Sequence, residues 1–186
     1  MTRRFFLILL CTLAAGAQAS AQSKTTVVIL VRHAEKATAP AADPPLTEAG
    51  VARARALATA LADANVQAVI TTELIRTRET ARPLADALGL PLETVHTGTG
   101  GVHARAVADA VRAHAGQTVL VVGHSNTIPL IIAALGGPKF GDICDTQYSN
   151  LFVLIVRPGD KKTGLVVSSY GAPSPDAATT CPGSMK

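Results

Sequence analysis

Two stretches constrain the fold of this chain more than any other feature. Thr26 to Val31 (TVVILV) and Thr118 to Val122 (TVLVV) are short, β-branched, apolar runs with no polar residue inside. A strand with one face in water alternates apolar and polar residues, so a strand that does not alternate is covered on both faces. The segments between and around these runs read as the cover. Thr47 is placed to cap a helix reaching about Ala64, with Gly50, Ala54, Leu57 and Leu61 along one face. Val66 to Thr71 reads as a strand. Thr77, Ala81, Leu84 and Leu88 mark a second helix, which Pro83 is expected to kink or restart and Gly89 to end. Leu90 to Val95 reads as a strand, Thr97 to Gly101 as a loop, Val102 to Ala115 as a helix and Thr127 to Leu135 as a short helix. Leu151 to Val156 and Leu165 to Ser169 form a hairpin around Pro158-Gly159-Asp160. This order predicts an α/β three-layer sandwich: a mainly parallel central sheet flanked by helices, with a C-terminal hairpin at one edge.

At 186 residues there is room for one domain. Apolar residues at 48% against 16% charged exclude a disordered chain, and 3% aromatics without Trp argue against a base-stacking platform. Residues 1–21 have the pattern of a secretory signal peptide: Arg3-Arg4, an apolar run from Phe5 to Leu13 too short to span a bilayer, and small-x-small sites ending at Ala19 and Ala21. The expectation is a secreted or periplasmic protein with no stable membrane anchor after cleavage. Residues 22–172 would form the folded domain and 173–186 an irregular tail. Loss of the two leader arginines lowers the formal charge from +4 to +2, with no basic run for nucleic acid. Of the two cysteines beyond the leader, Cys144 and Cys181 are expected to bridge in an oxidising compartment, with free thiols as the alternative. Closure of that loop contributes about 3–4 kcal/mol in the chain-entropy model. Neither cysteine follows a parallel strand, so the expected role is to hold the tail rather than to take part in chemistry.

In parallel sheets ligands bind beyond the carboxyl ends of the strands. After the first strand comes Arg32-His33-Ala34-Glu35, after the second Thr72-Glu73-Leu74-Ile75-Arg76-Thr77-Arg78, and after the fourth Gly123-His124-Ser125-Asn126. Two histidines and at least two arginines therefore converge on one edge. Guanidinium forks match phosphate oxygens, a neutral imidazole is a nucleophile, and backbone amides at Ser125 and Asn126 open a helix. The five histidines and two cysteines lack metal-ligand spacing, so no metal and no cofactor are expected. Gly98-Thr99-Gly100-Gly101 lacks the rest of a dinucleotide or P-loop motif, and Gly123-His124-Ser125-Asn126-Thr127 lacks the last glycine of a nucleophile elbow.

Arg32-His33-Ala34 resembles the Arg-His-Gly signature of the histidine phosphatase superfamily, the phosphoglycerate mutase-like proteins. Thr72-x-Leu74-x-Arg76-Thr77-x-x-Thr80-Ala81 is similar to its second motif, Leu46-Thr47-x-x-Gly50 to the start of its first helix, and Gly123-His124 to its late Gly-His motif. The resemblance implies a metal-independent phosphatase acting on phosphomonoesters or phosphohistidine, with a small phosphorylated molecule or a phosphoprotein as partner. It implies that His33 becomes phosphorylated, that Arg32 and Arg76 bind the phosphoryl oxygens, and that His124 completes the pocket. The chain departs from the pattern twice. Ala34 stands for Gly, and no general acid is evident. Glu35, Glu93, His96 and His103 are the candidates: Glu35 is expected to support its loop, Glu93 lies within a strand, and His96 and His103 read as surface residues. A missing acid favours good leaving groups such as phosphohistidine. A mutase, which needs more loop than this chain offers, and a non-catalytic phospholigand-binding protein are the alternatives.

Overall fold

The structure, a computed structural model, describes residues 25–160 and 162–174. The leader residues 1–21 and Cys181 lie outside the described residues. Six strands form one sheet: β1 (Thr26–Arg32), β2 (Val66–Thr71), β3 (Leu92–Thr94), β4 (Thr118–Gly123), β5 (Asn150–Val156) and β6 (Leu165–Ser169). Their spatial order is β3-β2-β4-β1-β5-β6. The first four run parallel, and β5 and β6 form the expected antiparallel hairpin against β1.

Four helices cover the sheet: α1 (Glu48–Ala60), α2 (Ile75–Leu88), α3 (Gly100–Ala113) and α4 (Ile128–Ala134). The two faces explain the sequence of the central strands. Val28, Leu30, Val119 and Val121 pack with α3 and α4, while Ile29, Val31, Leu120 and Val122 pack with α1 and α2. All eight are buried. Each full burial is worth about 1.5–3 kcal/mol, and an alternating polar residue in either strand would be sealed under one helical layer. Among the described residues no helix is long and apolar enough to cross a membrane.

Element bounds differ from the sequence reading in informative ways. Thr47 caps α1 as expected, its hydroxyl accepting from Gly50 N at 3.1 Å, but the helix stops at Ala60 and Leu61 is its C-cap. Helix α2 runs through Pro83 as one element. Thr77, Thr80 and Ala81 before the proline and Leu84 and Ala85 after it are all buried on one face. Burial of both halves offsets the roughly 3 kcal/mol that proline costs inside a helix. Leu88 leaves the buried stripe and is exposed, and Ala85 takes its place. β3 is only three residues long and lies at the sheet edge. Helix α3 starts at Gly100, inside the segment that reads as a loop.

Candidate active site

The sheet order puts β2, β4 and β1 side by side, so their carboxyl ends form one ledge. Arg32 is in register with Gly123, and His33 N donates to Gly123 O at 2.9 Å. This brings His33 and His124 together although 91 positions separate them in the chain. Their rings lie edge to face with centroids 5.4 Å apart, and both residues are buried.

Each histidine is held by a local device. His33 Nδ1 is 2.8 Å from Ala34 O. A carbonyl only accepts, so Nδ1 carries the hydrogen and Nε2 keeps its lone pair. Ala34 N donates to Thr80 Oγ1 at 2.9 Å, and that hydroxyl donates to Arg76 O at 2.7 Å. Thr80 therefore ties the β1 end to the first turns of α2. Ala34 is fully buried with Leu46 and Ala54, so the methyl that departs from the glycine pattern fills a small apolar cluster. Gly50 has a steric reason: a Cβ there would lie 2.2 Å from Glu35 O. His124 Nε2 lies 3.3 Å from Thr72 Oγ1, which bonds Thr77 Oγ1 at 2.9 Å.

Burial is the main cause that lowers the His33 imidazole to about 3, assisted by Arg32, His124 and Arg76 and opposed by the Ala34 carbonyl. Burial likewise lowers His124 to about 4, with Arg76, His103 and Arg32 adding to the effect and Glu73 opposing it. Both rings are neutral at physiological pH.

The two arginines differ. Arg32 NH1 donates to the carbonyls of Cys144, Asp145 and Gln147 at 2.9, 3.0 and 3.3 Å. Its NH2 lies 3.3 Å from Asp145 Oδ1, and its guanidinium sits 4.2 Å over the Tyr148 ring. Part of Arg32 thus anchors the loop before β5. Arg76 lies 3.5 Å from Asp43 Oδ1, and both Asp43 carboxylate oxygens accept from Ile75 N. Arg78 is exposed and Arg76 is not. The Nε atoms of both Arg32 and Arg76 are buried without a hydrogen-bond partner. Two orphaned cationic donors beside two neutral imidazoles match the needs of a phosphoryl group.

The candidate acids are dispersed. Glu35 accepts from Arg53 through Nε at 2.9 Å and NH2 at 2.7 Å, while Arg53 NH1 reaches the carbonyls of Tyr170 and Ala172. Glu35 therefore joins the β1 loop to α1 and the C-terminal segment. Glu93 pairs with His114 Nε2 at 2.7 Å. His96 is exposed and lies 3.8 Å from Glu73. His103 is not a surface residue as its sequence context suggested: it is 2% exposed. Glu73 accepts from Thr97 N and Oγ1, and these bonds hold its carboxyl below the usual range against the opposing effect of burial.

No motif or strand end pointed to Tyr148, whose ring centroid is 6.3 Å from His33, or to Asp43 and Asp145, which pair with Arg76 and Arg32. Cys144 also sits differently from expectation. It is disulfide-bonded, and its carbonyl contacts Arg32, so it belongs to the loop beside the site. The pairing with Cys181 involves a residue outside the described ones. Tail residue Ser174 accepts from Tyr148 N and Ser149 N, both at 2.9 Å. A cavity of about 410 Å³ lined by Glu35, Arg53, Asp145, Thr146, Tyr148 and Ser174 opens beside Arg32. A larger one, about 570 Å³, lies at the opposite, amino edge of the sheet and touches none of these histidines. Among the described residues no group of three or more His, Cys, Asp or Glu is placed to hold a metal ion.

The α/β fold thus carries two neutral histidines and two arginines on one ledge at the carboxyl ends of its parallel strands. The profile of the histidine phosphatase superfamily (branch 1) matches residues 28–97, the segment that holds β1, α1, β2, α2 and β3. Solved structures share the fold. The protein histidine phosphatase SixA complexed with tungstate is 20% identical, with a TM-score of 0.59 over 77% of this chain and 96% of that one. A candidate phosphohistidine phosphatase SixA from Nakamurella multipartitia is 25% identical, with a TM-score of 0.56 over 82% and 98%. A phosphoserine phosphatase variant from Entamoeba histolytica, in complex with phosphoserine, is 17% identical, with a TM-score of 0.56 over 79% and 97%. Comparison with curated protein sequences finds no match.

Proposed function

We propose that this chain is a phosphatase that hydrolyses phosphomonoesters or phosphohistidine through a covalent phosphohistidine at His33, without a metal ion. The observation that carries the reading is the state of His33. Its Nδ1–H is committed to the Ala34 carbonyl, its ring is neutral with an ionisation near 3, and its Nε2 lone pair has no protein partner. In the first step Nε2 attacks phosphorus, an N–P bond forms, and the bond to the leaving group breaks with its electron pair. In the second, water attacks phosphorus, the N–P bond breaks, and phosphate leaves with His33 restored. Arg32 and Arg76 offer their unpartnered Nε–H donors to the phosphoryl oxygens, and His124 faces the same group.

The proton for the leaving group narrows the substrate. His33 and His124 are neutral, the Glu73 carboxyl is held low, and Glu35 is paired with Arg53. That supports substrates whose leaving group departs with little help, phosphohistidine before alkyl phosphates. Export through residues 1–21 belongs to this reading and would place the activity in the periplasm or outside the cell. The test is turnover of p-nitrophenyl phosphate with and without a chelator, together with phosphoryl labelling. Wild type should turn over in chelator and trap an acid-labile, base-stable label, and His33→Ala should do neither. Label persisting in His33→Ala, or activity restored only by added metal, would refute the mechanism.

A further inference from the structure

We propose that the loop before β5 builds a leaving-group subsite beside the phosphoryl ledge, in which the Asp145 carboxylate selects substrates whose non-phosphoryl part carries a positive charge. The inference rests on the phosphatase reading and adds to it a class of substrate and the residue that chooses it. The subsite is the cavity of about 410 Å³ lined by Glu35, Arg53, Asp145, Thr146, Tyr148 and Ser174. Tyr148 is the wall that it shares with the ledge. Its ring centroid is 6.3 Å from that of His33, and the Arg32 guanidinium lies 4.2 Å over the same ring. A phosphoryl group held by His33 and Arg32 is thus bordered by Tyr148, and the cavity is the room on that side for the remainder of its molecule.

The walls are fixed from two directions. Arg32 NH1 holds the carbonyls of Cys144, Asp145 and Gln147. Ser174 Oγ accepts from Tyr148 N and Ser149 N, both at 2.9 Å, so the C-terminal segment closes the far side.

The charges of the site decide what fits. Arg53 and Glu35 neutralise each other: Arg53 Nε and NH2 donate to the Glu35 carboxylate at 2.9 and 2.7 Å, and its NH1 donates to the carbonyls of Tyr170 and Ala172. Asp145 is differently placed. Its side chain is 92% exposed, Oδ1 lies 3.3 Å from Arg32 NH2, and Oδ2 has no partner among the described residues. The other arginine of the ledge is arranged alike, with Arg76 NH1 3.5 Å from Asp43 Oδ1. Two guanidiniums therefore already face two carboxylates, and the two imidazoles are neutral. A bound phosphoryl dianion leaves this set with an excess of negative charge. A cation on the leaving part offsets it beside Asp145, whereas a carboxylate there adds repulsion. Protonated phosphohistidine belongs to the favoured class, and phosphorylated carboxylic acids do not.

The test uses two aryl phosphates of similar size, para-(aminomethyl)phenyl phosphate, an ammonium at neutral pH, and para-carboxyphenyl phosphate, an anion. The readout is the ratio of their kcat/KM values with the full chain. Asp145→Asn should lower the ammonium-to-carboxylate ratio about fivefold and Asp145→Lys about twentyfold, mainly through KM of the ammonium compound. Because Asp145 also touches Arg32, a loss common to both substrates reports only a structural effect, and the ratio does not move with it. In the wild type, raising the salt to about 0.5 M should lower the same ratio, a readout that needs no variant. A ratio unchanged in both folded variants, or insensitive to salt, would overturn this inference and leave the phosphatase reading standing. Turnover of p-nitrophenyl phosphate with the ammonium compound refused would do the same. No turnover of any of the three would overturn both.

Discussion

Acid should destabilise the empty protein through the buried imidazoles of His33 and His124. The unfolded chain holds these groups near 6.5, whereas the folded chain holds His33 at about 3 and His124 at about 4. Between the folded and unfolded values the unfolded chain binds more protons, so stability is complete above pH 6.5 and falls as the pH is lowered through that window. Each site costs about 1.4 kcal/mol per pH unit. From pH 7 to pH 5 this amounts to about 2 kcal/mol at each histidine, a large share of the roughly 5–15 kcal/mol that holds a domain together. The Glu73 carboxyl, held low in the folded state, loses its contribution only as the pH falls below about 4.5. It stays outside the window. Urea unfolding at pH 7, 6 and 5 reads the effect. His33→Asn and His124→Asn should each remove about 2 kcal/mol of the pH dependence, and inorganic phosphate should restore stability at pH 5 in the wild type. A variant that keeps the wild-type slope would refute the assignment of a neutral, desolvated imidazole at that position.

Three further outcomes follow from the site. Arg76→Ala should lower turnover about 100-fold or more and Arg78→Ala under about fivefold, since Arg76 carries a buried, unpartnered Nε and acts electrostatically on both histidines whereas Arg78 is exposed; equal losses would refute the assignment of Arg76 to the phosphate site. Reducing the disulfide at Cys144 should raise KM for p-nitrophenyl phosphate by about tenfold, because that residue's carbonyl anchors Arg32, and peptide mapping of non-reduced protein should find Cys144 joined to Cys181; unchanged KM after complete reduction would separate the loop from the site. Arg53→Met should cost about 3 kcal/mol in urea unfolding, leaving Glu35 and the carbonyls of Tyr170 and Ala172 without their donor; a cost below about 1 kcal/mol would mean that the pair is dispensable.

The sequence by itself determined the layers and the ledge. Apolar runs without alternation specify strands covered on both faces, and residues at the carboxyl ends of parallel strands share an edge whatever their separation in the chain. That is why Arg32, His33, Arg76 and His124 were legible: their positions follow from strand ends, a one-dimensional property. What lay beyond it depended on three-dimensional closure. Tyr148, Asp145 and Cys144 reach the site only because β5 pairs antiparallel to β1, which brings the loop before β5 to the carboxyl end of β1. Pro83 sits inside a continuous helix because buried side chains on both sides of it outweigh a local cost that sequence reading takes at face value. His103 was misread because its burial depends on α3 meeting α4 and on a carbonyl seven residues earlier. Periodicity is a property of the chain, whereas desolvation and hydrogen-bond partners belong to the neighbours that folding brings, so only the tertiary structure decided which imidazoles are neutral and which donors are left open.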